Sequence, residues 1–327
     1  MTPNLSTSFL GLTLKSPIVA ASSGMTKSLA GIKALEAAGV GAVILKSIFE
    51  EQISSEAGEL LKDAYYPEAA DYINLYAMSN SLEEYKTLIK DAKAETSIPI
   101  IASLNCYTNG DWVKFVKELS DAGADAIELN IFSINTNKHL DAQTYEENYY
   151  SIVRQAHTVT KRPILVKISP YFTNILDVVD RLKSAGASGV TLFNRFFQQD
   201  IDLETLKVSG GNKLTNGDMM YNTLRWTALC SGGIKDMEFS SSTGIHSSDT
   251  AIKMILAGSS AVQICSALYK NGPKVITEFN EGIAAFMEKK NFATIADFRG
   301  RLSHKGDANT NMYERSQFMK YFASEES

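Results

Sequence analysis

The sequence predicts an α/β fold, an eight-stranded (βα)8 barrel, and three observations predict it. The first is a repeat: AGVGAVILK at 38–46, AGADAIELN at 122–130, AGASGVTLFN at 185–194 and AGSSAVQIC at 257–265 each join a small-residue turn to apolar-rich residues and a polar end. The second is an apolar run after proline, in SPIVAAS at 16–22, IPIIASLN at 98–105 and RPILVKIS at 162–169, with DMEFSSS at 236–242 filling the fourth slot without the proline. The third is their interleaving, which yields eight strands, most of them separated by amphipathic helical stretches. Continuously apolar strands are buried on both faces, as in a parallel sheet covered by helices. Eight such units close into a barrel.

Length and composition allow this. A chain of 327 residues that is 44% hydrophobic can fill one large core. Residues 1–304 read as a single barrel domain with rim-loop insertions, and 305–327 as a polar tail holding Tyr313, Phe318, Met319, Tyr321 and Phe322, either docked as a helix or frayed. The formal charge of −5 offers no case for nucleic acid or an anionic membrane. Cys106, Cys230 and Cys265 are odd in number and widely spaced, so neither a disulfide framework nor a metal site is expected. An apolar run long enough to span a membrane and a basic start with an apolar core are both missing, and a cytoplasmic location is the simplest expectation.

In order, 6–15 alternates around Gly11 and reads as a hairpin plugging the barrel floor. A strand at 18–21, a helix at about 28–38 and a strand at 42–45 follow, the last ending in Lys46 and Ser47. The connection over about 48–79, with Tyr65, Tyr66, Tyr72, Ile73 and Tyr76, reads as a lid before a helix at 82–95 that Asn80 or Ser81 would cap. The third and fourth strands end at Asn105 and Asn130, and a helix at 142–160 leads to a strand at 164–168 carrying Lys167. The strand at 189–193 is followed by Asn194, and a Gly- and Asn-rich excursion at 198–221 reads as a second rim loop. The seventh strand enters 240–244, a helix spans 248–256, the eighth strand ends at Cys265 and Ser266, and a helix at 273–289 closes the ring. The four histidines read as surface residues.

Barrels of this kind carry their chemistry at the carboxyl ends of the strands. Those ends supply Ser22, Lys46, Asn105, Asn130, Lys167, Asn194 and Ser242, with Glu128 as the one strand-interior acid near the rim. No carboxylate pair for glycoside hydrolysis and no ligand cluster for a metal is present among them. Two lysines and several amides suit a planar anionic guest but are poor at unaided acid–base work, so the hard step falls to a cofactor. Thr243 and Gly244 precede a helix, and Ser266 ends the next strand; backbone N–H groups there suit a phosphate. A phosphate in that place, with a lysine reaching the ring system, points to FMN, with Lys167 beside the edge where charge develops on reduction. A Schiff-base lyase using Lys167 or Lys46, and a flavin-holding barrel without catalysis, remain as alternatives.

The same residues carry a resemblance. The motifs are SPIVAASS at 16–23, LKS at 45–47, INLYAMSN at 73–80, ELNIFSIN at 128–135, VKISPYF at 166–172, ILAGSSAVQICSALYKNGP at 255–273 and IADFRGRL at 295–302. In order and spacing they resemble the dihydroorotate dehydrogenases of the soluble class 1 branch, over roughly residues 5–303. The resemblance implies an FMN enzyme of pyrimidine biosynthesis that oxidises dihydroorotate to orotate, losing a proton and passing a hydride to the flavin. It implies a homodimer, with fumarate or, through a partner subunit, NAD as electron acceptor. It further implies that Lys46, Asn74, Asn130, Asn135 and Asn194 bind the pyrimidine. Ala21, Ser22, Lys46, Asn130 and Lys167 would contact the flavin, with Thr243, Gly244, Cys265 and Ser266 around its phosphate.

The departures mark a divergent branch. Ser133 stands where class 1 enzymes carry a cysteine base, serine being the base of the class 2 branch, and Ile134 replaces the proline that follows. Arg195 replaces a small residue after the substrate asparagine, where a guanidinium near the ring would pair with a different acid, which leaves a related flavin barrel acting on another small acid as an alternative. Thr243–Gly244 and Cys265–Ser266 replace a Gly-Gly and a Gly-Thr, and LTNGDMMYN at 214–222 replaces a Gly-rich loop.

Overall fold

The computed structural model describes residues 3–49, 68–106, 112–131, 134–306 and 311–314, with the backbone alone at 49, 68–80, 106 and 311. An antiparallel hairpin opens the chain, β1 (Thr7–Phe9) against β2 (Leu12–Leu14). Then come β3 (Ile18–Ala20), α1 (Leu29–Ala37), β4 (Ala42–Ile44), the two-residue β5 (Ile48–Phe49), α2 (Glu68–Glu95), β6 (Ile100–Cys106) and α3 (Trp112–Asp121). The middle of the chain forms β7 (Ala126–Ile131), α4 (Ala142–Val159), β8 (Ile164–Ile168), α5 (Ile175–Ser184), β9 (Gly189–Leu192), the hairpin β10 (Gln199–Asp202) and β11 (Lys207–Gly210), and α6 (Met220–Gly233). The last elements are β12 (Glu238–Ser241), α7 (Ser248–Ala257), β13 (Ala261–Ile264), α8 (Ser266–Asn271) and α9 (Val275–Lys290).

Strands β3, β4, β6, β7, β8, β9, β12 and β13 pair in parallel in that order, and β13 pairs with β3, so the eight close into a (βα)8 barrel. The AG repeat has a backbone cause. Gly39, Gly123, Gly186 and Gly258 sit after α1, α3, α5 and α7 with φ of 91°, 107°, 110° and 120°, a left-handed turn that a glycine makes without a Cβ penalty. The helices also start where capping side chains stand: Ser28, Asp141, Asn174 and Ser247 accept from backbone N–H groups of α1, α4, α5 and α7.

Most barrel strands are buried on both faces, their outer residues packing under the helices. Inside, Phe9, Leu10 and Leu14 of the hairpin meet Val19, Ala42, Ile44, Ile101, Ala126, Leu165 and Ala261, so the hairpin plugs the floor and leaves the mouth for polar residues.

Several boundaries differ from the sequence reading. The helix expected at 82–95 begins at Glu68, so Asn80 and Ser81 lie inside it and not at its start; 68–80 contains neither proline nor glycine to stop it. Tyr65 and Tyr66 of the expected lid lie outside the described residues. Strands β6 and β7 run on through Asn105 and Asn130 to Cys106 and Ile131, because the ladder continues through the pairs Asn105↔Asn130 and Asn130↔Lys167. Strand β12 spans Glu238–Ser241 and stops before Thr243, whose φ of 83° cannot continue a strand. The 198–221 excursion is a β-hairpin followed by a short 3-10 turn. In the tail, His304 lies 3.0 Å from Glu314, and Phe318, Met319, Tyr321 and Phe322 fall outside the described residues. Among the described residues, no helix is long and apolar enough to cross a membrane.

Candidate active site

Closing the barrel brings distant strand ends together. A cavity of about 240 Å³ lies over the ends of β3, β8, β9, β12 and β13, and Ala21, Ser22, Lys167, Asn194, Thr243, Gly244, Cys265 and Ser266 all line it. Asn130 joins through a hydrogen bond, Asn194 Nδ2 donating to Asn130 Oδ1 at 2.6 Å. Lys46 is half-buried at the end of β4 and outside this cavity's walls. Asn135 is exposed, and its amide serves its own loop, donating to the Leu140 carbonyl and accepting from the Asn137 N–H. Asn74 lies on α2, where its side chain is outside the described atoms, and Ser133 lies outside the described residues altogether.

Two polar residues of the cavity wall are left with hydrogen-bonding capacity to spare. Lys167 is 8% exposed, and among the described residues its ammonium has no hydrogen bond and no ion pair. Gln263, 1% exposed, donates from Nε2 to Thr191 Oγ1 at 2.9 Å, while its Oε1 accepts nothing. The sequence reading passed over Gln263; a lone amide in the apolar strand AVQI was the available signal. Gln263 Oε1 wants a guest, since a buried acceptor without a partner costs about 1–3 kcal/mol, and the Lys167 ammonium is left to pair with one. Lys167 suits an anionic ring edge and Gln263 Oε1 suits a ring N–H. The Cys265 thiol is pushed up by burial, against the opposing pull of Lys167, so it remains a neutral thiol in the wall.

The opposite end of the cavity is built by a turn and a clasp. Thr243 and Gly244 have φ of 83° and 80°, and Thr243 Oγ1 donates to the Phe193 carbonyl at 3.0 Å. Thr215, from the loop after β11, is held three ways: its N–H donates to Ser266 Oγ, its Oγ1 pairs with His246 Nε2 at 2.8 Å, and its carbonyl accepts from Lys270 Nζ. His246 is therefore a partner of the loop, contrary to its surface reading. Burial and then the Lys270 charge hold its imidazole below the ordinary value. Lys213 and Arg195 add cationic side chains to the same wall. With the first N–H groups of α8 left over by helix geometry, this end suits a phosphate.

Arg195 behaves differently from its expectation. Its Nη1 and Nη2 donate to the carbonyls of Lys213 and Asn212 and to Gln198 Oε1, binding the rim loops together, while its Nε has no partner. On its far side lies a second cavity of about 640 Å³, reached by Ile134, Tyr171, Phe196 and Met219.

Comparison with known proteins places the whole chain. The family model for dihydroorotate dehydrogenase matches residues 4–287. The chain is 29% identical over 313 residues to the catalytic subunit of a dihydroorotate dehydrogenase B (NAD(+)) of Thermoplasma volcanium, covering 91% of this chain and 98% of that protein. It is 27% identical over 307 residues to the same subunit of Caldicellulosiruptor saccharolyticus, covering 92% and 99%. Among solved structures, the dihydroorotate dehydrogenase of Eimeria tenella in complex with ferulenol superposes with a TM-score of 0.65 at 17% identity, covering 91% of this chain and 88% of that one, a likeness of fold. The closed barrel, the cavity at its strand ends and a match running almost from end to end agree: this chain belongs to the dihydroorotate dehydrogenase family, a family of oxidoreductases.

Proposed function

We propose that the cavity holds FMN and that the protein oxidises dihydroorotate to orotate. The observation that carries the reading is that Lys167, without a hydrogen bond or ion pair among the described residues, and Gln263, with its Oε1 idle, line one cavity with the turn at Thr243 and Gly244. FMN, when bound, would supply the acceptor for the hydride. Lys167 would hold the ring edge that gains charge, an electrostatic role worth more in a site from which water is excluded. Gln263 would orient the ring, and Thr243, Gly244, Ser266 and Lys213 would seat the phosphate. Asn130 and Asn194, already joined, would present amides to the substrate ring, with Lys46, Asn74 and Asn135 as further contacts. Ser133 would take the proton from carbon; a hydroxyl is a far weaker acid than a thiol of pKa about 8.5, so this branch depends more heavily on its surroundings to activate the base. The likeness to class 1 catalytic subunits supports a homodimer in the cytoplasm that passes electrons to a separate acceptor.

An anaerobic titration of the purified protein with dihydroorotate, followed at the flavin band, tests this. The expected outcome is a yellow protein that bleaches stoichiometrically. A yellow protein whose flavin stays oxidised would mean that the barrel binds flavin and lacks the reaction. A colourless protein that traps a carbonyl substrate with borohydride would identify Lys167 as a Schiff-base nucleophile.

A further inference from the structure

Beneath the cavity runs a chain of hydroxyls that the proposed reaction has not used. Ser22, in the cavity wall, lies 3.0 Å from Ser47 Oγ, which lies 2.7 Å from Ser103 Oγ, which donates to Glu128 Oε1 at 2.8 Å. Ser103 and Glu128 are register partners on β6 and β7 and are both 0% exposed. The other carboxyl oxygen, Glu128 Oε2, has no partner, and among the described residues no cation lies within ion-pairing distance of the group. A fully buried carboxyl with half its acceptors idle is a poor structural anchor. Each serine, in contrast, both donates and accepts, so the whole chain can reverse its direction.

We propose that Glu128 stores the proton that substrate oxidation releases, and that Ser22, Ser47 and Ser103 conduct it there. The proposal rests on reading the cavity as the site of a C–H oxidation. With Glu128 ionised, every hydroxyl points inward, from Ser22 to Ser47 to Ser103 to the carboxylate. A proton freed in the cavity binds Ser22 Oγ, and Ser22 passes its own proton to Ser47. Ser47 passes its proton to Ser103, and Ser103 passes its proton to Glu128. One O–H bond forms at each acceptor as one breaks at each donor. Glu128 becomes a neutral carboxyl, the chain points outward, and the electron pair of the hydride takes no part. Tyr85 on α2 is the titratable neighbour: its hydroxyl accepts from the Ser103 N–H at 3.0 Å. Burial, reinforced by the Glu128 charge, holds its phenol above the ordinary value, so it does not compete as a proton source.

Infrared difference spectroscopy tests this in two stages. In a pH titration without substrate, the folded protein should show a neutral-carboxyl band that shifts in D2O and is missing from Glu128→Gln. Its deuterium exchange should slow by about tenfold or more in Ser47→Ala and recover in Ser47→Thr. If Ser47→Ala does not fold, Ser103→Ala breaks the next link and carries the same expectation. A Glu128 band found at no pH, or exchange in the interrupted variant at the native rate, overturns the relay. In the second stage, dihydroorotate is added anaerobically to the FMN-loaded protein, and the band should rise as the flavin bleaches. Bleaching without the band overturns the proposal. Absence of bleaching refutes the dihydroorotate reading instead, and the first stage still decides whether the chain conducts.

Discussion

Lys167 is an ammonium on a strand whose five residues are all buried, and its value to a guest comes from having no ion-pair partner among the described residues. Removing it should cost the ring its one buried cation: Lys167→Ala is expected to weaken FMN retention by about ten- to hundredfold, read as flavin lost on gel filtration. Ser133→Ala, by contrast, should keep the flavin and lose its reduction by dihydroorotate; reduction at the native rate would remove Ser133 as the base. Arg195 carries the same charge and a different duty, because loop carbonyls already occupy its two terminal nitrogens. His246 is held below its ordinary value of 6.5, so the unfolded chain takes up the proton first as the pH falls. The stability that the neutral Thr215–His246 contact adds is therefore whole above pH 6.5 and lost as the pH drops below it. The melting temperature of the native protein should exceed that of His246→Gln at neutral pH and converge with it near about pH 5.

At the scale of elements, the turn after β12 shapes the end of the cavity proposed to seat the phosphate. Gly244 has φ of 80°, and a Cβ there would lie 2.3 Å from the Met220 backbone nitrogen at the start of α6. Gly244→Ala is thus expected to lower stability by about 2–3 kcal/mol and to shift the loop that seats Thr215, measured by thermal unfolding and by flavin affinity. The AG turns are quieter cases of the same physics. Gly123 has open space around it, so the strain of an alanine there would come from its φ of 107° alone.

In the whole molecule, two layers share the barrel interior. The lower is apolar and sealed by the hairpin, with Phe9 fully buried; Phe9→Ala should cost about 3–5 kcal/mol and lower the melting temperature, because the plug has no second side to collapse from. The upper layer is polar, with Ser103, Glu128, Thr191, Ser240 and Gln263 almost fully enclosed. Such a layer survives only where each group finds a partner or waits for one. The plug closes the floor, and the chemistry is left to the mouth.

Periodicity and turns are local properties, so the sequence by itself determined the eight strands, the AG turns, the floor hairpin and the residues at the strand ends. Lys167, Thr243 and Cys265 could be picked out because a charge, a small turn and a polar end each interrupt an apolar run. Their distances in the chain say nothing of their neighbours, and only closure of the barrel set β13 beside β3 and placed Lys167 and Gln263 around one cavity. Arg195 shows the same limit: how much of a guanidinium its own loops take up depends on carbonyls 17 and 18 residues away. The hydroxyl chain from Ser22 to Glu128 was invisible for a further reason. Its links come from just beyond the ends of β3 and β4 and from β6 and β7, and a hydrogen bond between strand neighbours requires a register that composition does not encode.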